Sequence, residues 1–140
     1  MANVRALNKD KYNIGANRFR ELYYFCLQYN EWKQKLLLKR NPLKAMQYGE
    51  RVASSTVNAS QIENIAIECA ELSRKCEVVE NVAKEADAEI SQYILYAVTN
   101  KGVSYEYLHM RKGIPCGRDR YYMSRRKFYW LLDKRLEENK

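Results

Sequence analysis

Eight apolar residues, Ile62, Ile65, Cys69, Leu72, Cys76, Val79, Ala83 and Ala86, follow one another at alternating steps of three and four. Steps of that size return to one face of a helix, and their heptad average suits packing against a second helix. Residues 60–87 should therefore form one long helix with a single apolar seam. Ser60 stands three residues before Glu63, the spacing of a capping box that satisfies two free backbone N–H groups. Glu63, Glu68, Glu71, Arg74, Lys75, Glu77 and Glu80 fill the positions between and should face water. Two packings suit the seam. It can close against residues 17–40 of the same chain. It can instead pair in a homodimer through Ile62, Ile65, Cys69, Leu72, Cys76 and Val79, and in a parallel pair Lys75 would face Glu80 of the partner subunit.

The rest of the chain is as helical in character. Five Gly and two Pro are spread over 140 residues, and these are the strongest helix breakers. Residues 1–16 read as a flexible basic arm. From Asn17, Phe19, Leu22, Cys26 and Tyr29 keep a helical period. Asn30 then reads as a fresh N-cap for a second helix, with Trp32, Leu36 and Leu37 inward, running to about Arg40. Asn41-Pro42 should end it, because proline disfavours helix in the residue before it. Residues 41–59, with Gly49 and Ser54-Ser55-Thr56, read as a linker. The expected fold is all-α: a helical bundle with a long central helix and a C-terminal helix-turn-helix unit over residues 88–140.

Charge is distributed in blocks. Residues 1–50 carry ten basic and four acidic side chains, residues 51–100 four and eight, residues 101–140 eleven and five. Solubility needs no such segregation, whereas an anionic polymer is met by basic surfaces at both ends. No apolar run approaches the ~18 residues of a membrane span, and the N-terminus has no hydrophobic signal region, so a cytoplasmic protein with no membrane contact is expected. The four cysteines, Cys26, Cys69, Cys76 and Cys116, then read as free, mostly buried thiols.

Catalysis needs an acid, base or nucleophile within mutual reach. The single histidine, His109, reads as structural, and no phosphate-binding glycine loop, His-Glu-x-x-His or serine elbow is present. Cys69, Cys76, His109 and Cys116 lack close metal-ligand spacing. The expectation is a protein that is not an enzyme and has no metal and no cofactor.

The C-terminal segment carries the chemistry. Asp87 reads as a cap for a helix marked by Ile90, Ile94 and Ala97, with Gly102 as its left-handed stop. Ser104 can cap a short helix from Tyr105 to Arg111. Lys112 to Gly117 reads as a turn, and a long helix follows from about Gly117 to Glu137. Helix, short helix, turn, long helix is the layout of a helix-turn-helix unit, whose last helix enters a DNA major groove. With Phe128 at the centre of its buried face, Tyr121, Ser124, Leu131, Leu132 and Arg135 fall on the same side at ~100° per residue. Asp119, Tyr122, Met123, Arg126 and Trp130 point away, and Arg118, Arg120, Arg125 and Lys127 flank. Arginine pairs with guanine edges and phosphates, and tyrosine can donate to phosphate. The candidate nucleic-acid contacts are therefore Arg118, Arg120, Tyr122, Arg125, Arg126 and Lys127. Asp119 opposes them, because it repels phosphate unless it accepts from a cytosine amine.

Three stretches resemble a known family. They are Gln28-Tyr29-Asn30-Glu31-Trp32-Lys33 after an early aromatic helix, the charged central helix opening near Ser60, and Gly117-Arg118-Asp119-Arg120-Tyr121-Tyr122 through Arg126-Lys127-Phe128-Tyr129-Trp130-Leu131-Leu132. The chain resembles RinA-type and ArpU-type phage transcriptional regulators of Gram-positive bacteria over about residues 18–137. The resemblance implies a sigma-region-4-like helix-turn-helix and a phage or prophage protein that binds double-stranded promoter DNA of late or packaging genes. Host RNA polymerase is then a natural partner. The competing expectation is a small phage protein that acts by protein binding, as a host or defence-enzyme inhibitor, or a DNA-packaging subunit. Tyr121, Tyr122, Phe128, Tyr129 and Trp130 suit a protein interface.

Overall fold

The computed structural model describes residues 12–47 and 59–138. Its regular elements there are all helical, as the breaker-poor sequence requires. They are α1 (Ala16–Leu27), α2 (Tyr29–Gln47), α3 (Ala59–Ala86), α4 (Ser91–Thr99), α5 (Tyr105–Tyr107), a π-helical turn (Leu108–Lys112) and α6 (Arg118–Glu138). The chain divides into two compact units. One runs to Gln28 and resumes at Val78; the other is Tyr29–Glu77.

In the first unit α1 packs on α4 and α6, and α4 packs on α6. Phe19, Leu22 and Cys26 of α1 are buried at the expected spacing, with Tyr23 beside them. Val79, Val82 and Ala83 from the end of α3, Ile90, Ile94 and Val98 around α4, and Leu108 complete the centre. Each buried aliphatic side chain stabilises by about 1.5–3 kcal/mol. Ile14 is buried and Tyr12 stands edge-on to Trp130 at 5.5 Å. The end of the expected flexible arm is thus docked, because it carries apolar side chains to bury; residues 1–11 lie outside the described residues.

The turn chemistry of the C-terminal segment matches the sequence. The Ser104 hydroxyl accepts from the Tyr107 N–H at 3.1 Å, and Gly113, at φ 70°, closes the π-helical turn by donating to the Leu108 carbonyl. Gly102 is left-handed too, in the loop after α4. Asp87 behaves differently from expectation. α4 begins at Ser91, with Ile90 rather than Asp87 at its N-cap position. The Asp87 carboxylate accepts from the nearer Glu89 N–H at 3.2 Å and from two side chains of α6, so tertiary partners outcompete the cap.

The second unit joins α2 to the first part of α3. Trp32 and Leu36 are buried as expected, but Leu37 is 62% exposed, because it lies a further 100° round the helix from Leu36. α2 starts at Tyr29, so Asn30 lies inside it, and α3 starts at Ala59, so Ser60 lies within the first turn rather than before it. α2 also runs through Asn41-Pro42 to Gln47, into the expected linker. A proline inside a helix costs one backbone hydrogen bond but does not forbid continuation. Residues 48–58 lie outside the described residues.

The seam of α3 is buried unevenly. Cys69, Cys76 and Val79 are covered within this chain, whereas Ile62, Ile65 and Leu72 are half-buried. Lys75 sits over the Trp32 ring of its own chain, with Nζ 5.6 Å from the centroid. Cys26, Cys69 and Cys76 are buried and Cys116 is half-buried, all four as thiols outside any disulfide. No helix among the described residues is long and apolar enough to cross a membrane.

Candidate nucleic-acid interface

α6 is fixed by a stripe of five buried residues, Tyr121, Ser124, Phe128, Tyr129 and Leu132. The stripe is rotated from the expected one. Tyr129, at 0% exposure, takes the place in the core that Leu131 was expected to hold, and Leu131 is half-buried. The cause lies in α1: the Phe19 ring meets Tyr129 edge-on at 4.9 Å, and Phe128 meets Tyr129 at 5.2 Å. Among the described residues the Tyr129 hydroxyl has no hydrogen-bond partner. Burial drives its pKa well above the usual phenol range. Burial likewise raises Tyr121 to about 12, against the Arg125 charge, so both rings stay neutral. Arg135 is half-buried because it pairs with Glu85 at 2.6 Å.

The start of α6 is held from several directions. The Tyr105 hydroxyl donates to the Cys116 carbonyl at 2.7 Å. Arg120 donates twice to Asp87, Nε to Oδ2 and Nη2 to Oδ1, each at 3.0 Å, and reaches Glu89 at 3.3 Å. The Ser124 hydroxyl donates to Asp87 Oδ2 at 3.0 Å. Arg120 is therefore an anchor of the helix, and its charge is matched by two carboxylates. Arg118 pairs with Glu106 at 2.6 Å and lies 5.5 Å from the Tyr105 ring centre. Both partners are more than half exposed. Such a pair is worth about 0–1 kcal/mol, so a phosphate could replace Glu106 at little cost.

The Asp87 cluster sets an acid limit on this seating. Hydrogen bonding from Arg120, and after it from Ser124, holds the Asp87 carboxyl below its ordinary value against the opposing effect of burial. A carboxyl depressed in the folded state stabilises above its unfolded pKa of about 3.9, and that stability is lost as pH falls through the folded value. The Asp87 side chain is 13% exposed, but Arg120 is 43% exposed and its charge is screened. We expect Asp87→Asn to lose about 1–2 kcal/mol at pH 7, low in the range for hydrogen bonds to charged groups. Below about pH 4 the gap between wild type and variant should begin to narrow, and it should close below the depressed folded value, which thermal melts followed by circular dichroism in steps from pH 7 down to about pH 2 will check.

The remaining candidate contacts differ in freedom. Arg125 is half-buried on the flank of the core, over the Tyr129 ring at 5.5 Å. Tyr122 is half-buried, edge-on to Tyr121 at 4.9 Å. Arg126 and Lys127 are half-buried and form no ion pair, hydrogen bond or ring contact among the described residues. Both lie away from the core stripe, with Met123 one turn before them, Trp130 one turn after and Lys134 two turns after. Met123 is 51% exposed, and Lys134 Nζ lies 4.4 Å over Trp130. Sequence reasoning passed over Lys134, although its seven-residue spacing from Lys127 places it on the same stripe. Asp119, Arg111 and Lys101 are exposed as well.

The arrangement presents a seated helix with an outer row of cations and an aromatic ring. His109 is exposed and stacks on Tyr105 at 5.8 Å, and among the described residues no group of His, Cys, Asp or Glu could hold a metal ion. No protein-family model, no curated protein and no solved structure matches this chain.

Proposed function

We propose that this chain binds double-stranded DNA through the outer face of α6 and acts as a phage or prophage transcriptional regulator of late or packaging genes. One observation carries the DNA reading. Arg126 and Lys127 stand on the face of α6 opposite its core stripe without an acidic partner among the described residues. Acids pair with Arg118 and Arg120 at the start of the helix, and Arg125 and Lys134 lie over aromatic rings, whereas Arg126 and Lys127 have neither kind of partner among the described residues and are open to an incoming polyanion. The helix order in front of α6 supports a groove-binding role, because α4, α5 with its π-helical turn, and the Gly113–Gly117 turn deliver α6 as a helix-turn-helix unit delivers its last helix. The regulator and phage assignment rests on the sequence resemblance alone. Host RNA polymerase would bind elsewhere on such a regulator.

A second reading has its own support. Met110 is 79% exposed, Met123 51% and Tyr107 40%, and exposed methionines and aromatics suit a protein partner. The full chain should be used to select fragments from random duplex DNA at 50 and 200 mM salt. A recovered common sequence, with binding that weakens steeply between the two salts, is the expected result. Random recovery, or binding indifferent to salt, would contradict the DNA reading and favour the protein one.

A further inference from the structure

The second unit offers an interface that shares only Leu72 with the α3 seam. α2 and the first part of α3 run antiparallel. Lys75 lies over Trp32, and Lys39 Nζ bonds Glu68 Oε2 at 2.6 Å, so seven residues forward along α2 are seven back along α3. Two helices can bury only the faces they turn to each other, and their outer sides need another layer. Between them lies an open groove of about 470 Å³, lined by Leu38 and Leu72 and by the charged side chains of Lys35, Lys39, Glu68, Glu71 and Lys75. Leu38 is 66% exposed, and Leu37 and Ile67 nearby in the same unit are 62% and 57% exposed. The banks are charged by helix. Of the lining residues, α2 gives Lys35 and Lys39 and α3 gives Glu68 and Glu71, while the one α3 lysine there, Lys75, is turned over Trp32.

We propose that this hairpin pairs with the same hairpin of a second copy about a two-fold axis, each α2 set against the α3 of the other. A two-fold contact uses one patch twice, so a surface with a basic bank and an acidic bank complements itself. Lys35 has no ion pair among the described residues, and Glu71 only a 4.0 Å contact to Arg74 three residues on. These are the groups left to meet across the axis. Leu38 and Leu72 supply the apolar centre of a four-helix arrangement. Cys69 and Cys76 are already covered within the chain and take no part. The inference stands on the second unit and does not depend on DNA binding.

Light scattering on the full chain over a range of concentrations tests it. The expected result is a mass of two chains at high micromolar concentration. Leu38→Glu, at an exposed position, should raise the dissociation constant at least tenfold while the helical circular dichroism is unchanged. Lys35→Glu should weaken the dimer, and adding Glu71→Lys should restore it. A single-chain mass at every concentration would overturn the proposal. So would a larger assembly, or a dimer indifferent to Leu38→Glu.

Discussion

Phe128→Ala should cost about 3–5 kcal/mol, the loss seen when a fully buried aromatic side chain is cut back to a methyl group. Phe128 is 0% exposed and central to the stripe that seats α6. Its neighbours cannot simply close the gap. Tyr129 is held edge-on by Phe19, and α1, α4 and α6 all pack on one another, so a collapse would have to move three helices. The loss is a large part of the 5–15 kcal/mol that folded domains possess. Urea denaturation followed by circular dichroism should show the midpoint fall sharply. Trp130→Ala, at a half-buried position, should move it much less. A loss below about 1 kcal/mol for Phe128→Ala would mean that α6 is not seated on this core.

The second large effect is functional. Joint replacement of Arg126 and Lys127 by alanine should weaken duplex binding without destabilising the fold, since neither residue has an intramolecular partner among the described residues. An arginine that pairs with a base is worth about 1–3 kcal/mol, roughly a fivefold to 150-fold loss at fixed salt. Arg120→Ala provides the contrast. Its effect should appear first in the melting temperature, because Arg120 is bound to Asp87 and Glu89. Fluorescence anisotropy with a labelled duplex, beside a melt of each variant, separates the two outcomes. Equal binding by the Arg126/Lys127 variant and the wild type would remove α6 from the interface.

The helices were legible where the signal is local. Ser104, Gly113, the period of Phe19, Leu22 and Cys26, and the seam of α3 each fix a stretch within a few residues of themselves. What escaped depends on distant partners. Tyr129 joins the core because Phe19, far away in the chain, meets its ring. Arg120 reads as a free flank residue until Asp87, thirty-three positions earlier, is brought beside it. Asp87 in turn reads as a helix cap for want of that contact. Pro42 was misleading for another reason: a local preference was outweighed within a helix that continues to Gln47. Of the six candidate contacts, Arg126 and Lys127 keep the freedom that their sequence positions suggested. Arg118 keeps it in part, and Arg120 does not.

The salt dependence of duplex affinity, measured for the full chain and for the Arg126/Lys127 double-alanine variant, tests the central claim most directly. Each lost phosphate contact lowers the slope of log affinity against log salt by about 0.9. If both side chains meet phosphate, the variant's slope should be shallower by about 2; if Arg126 pairs with a base instead, by about 1 together with weaker sequence preference. Identical slopes for the two proteins, or no duplex binding by the wild type at 50 mM salt, would contradict the account.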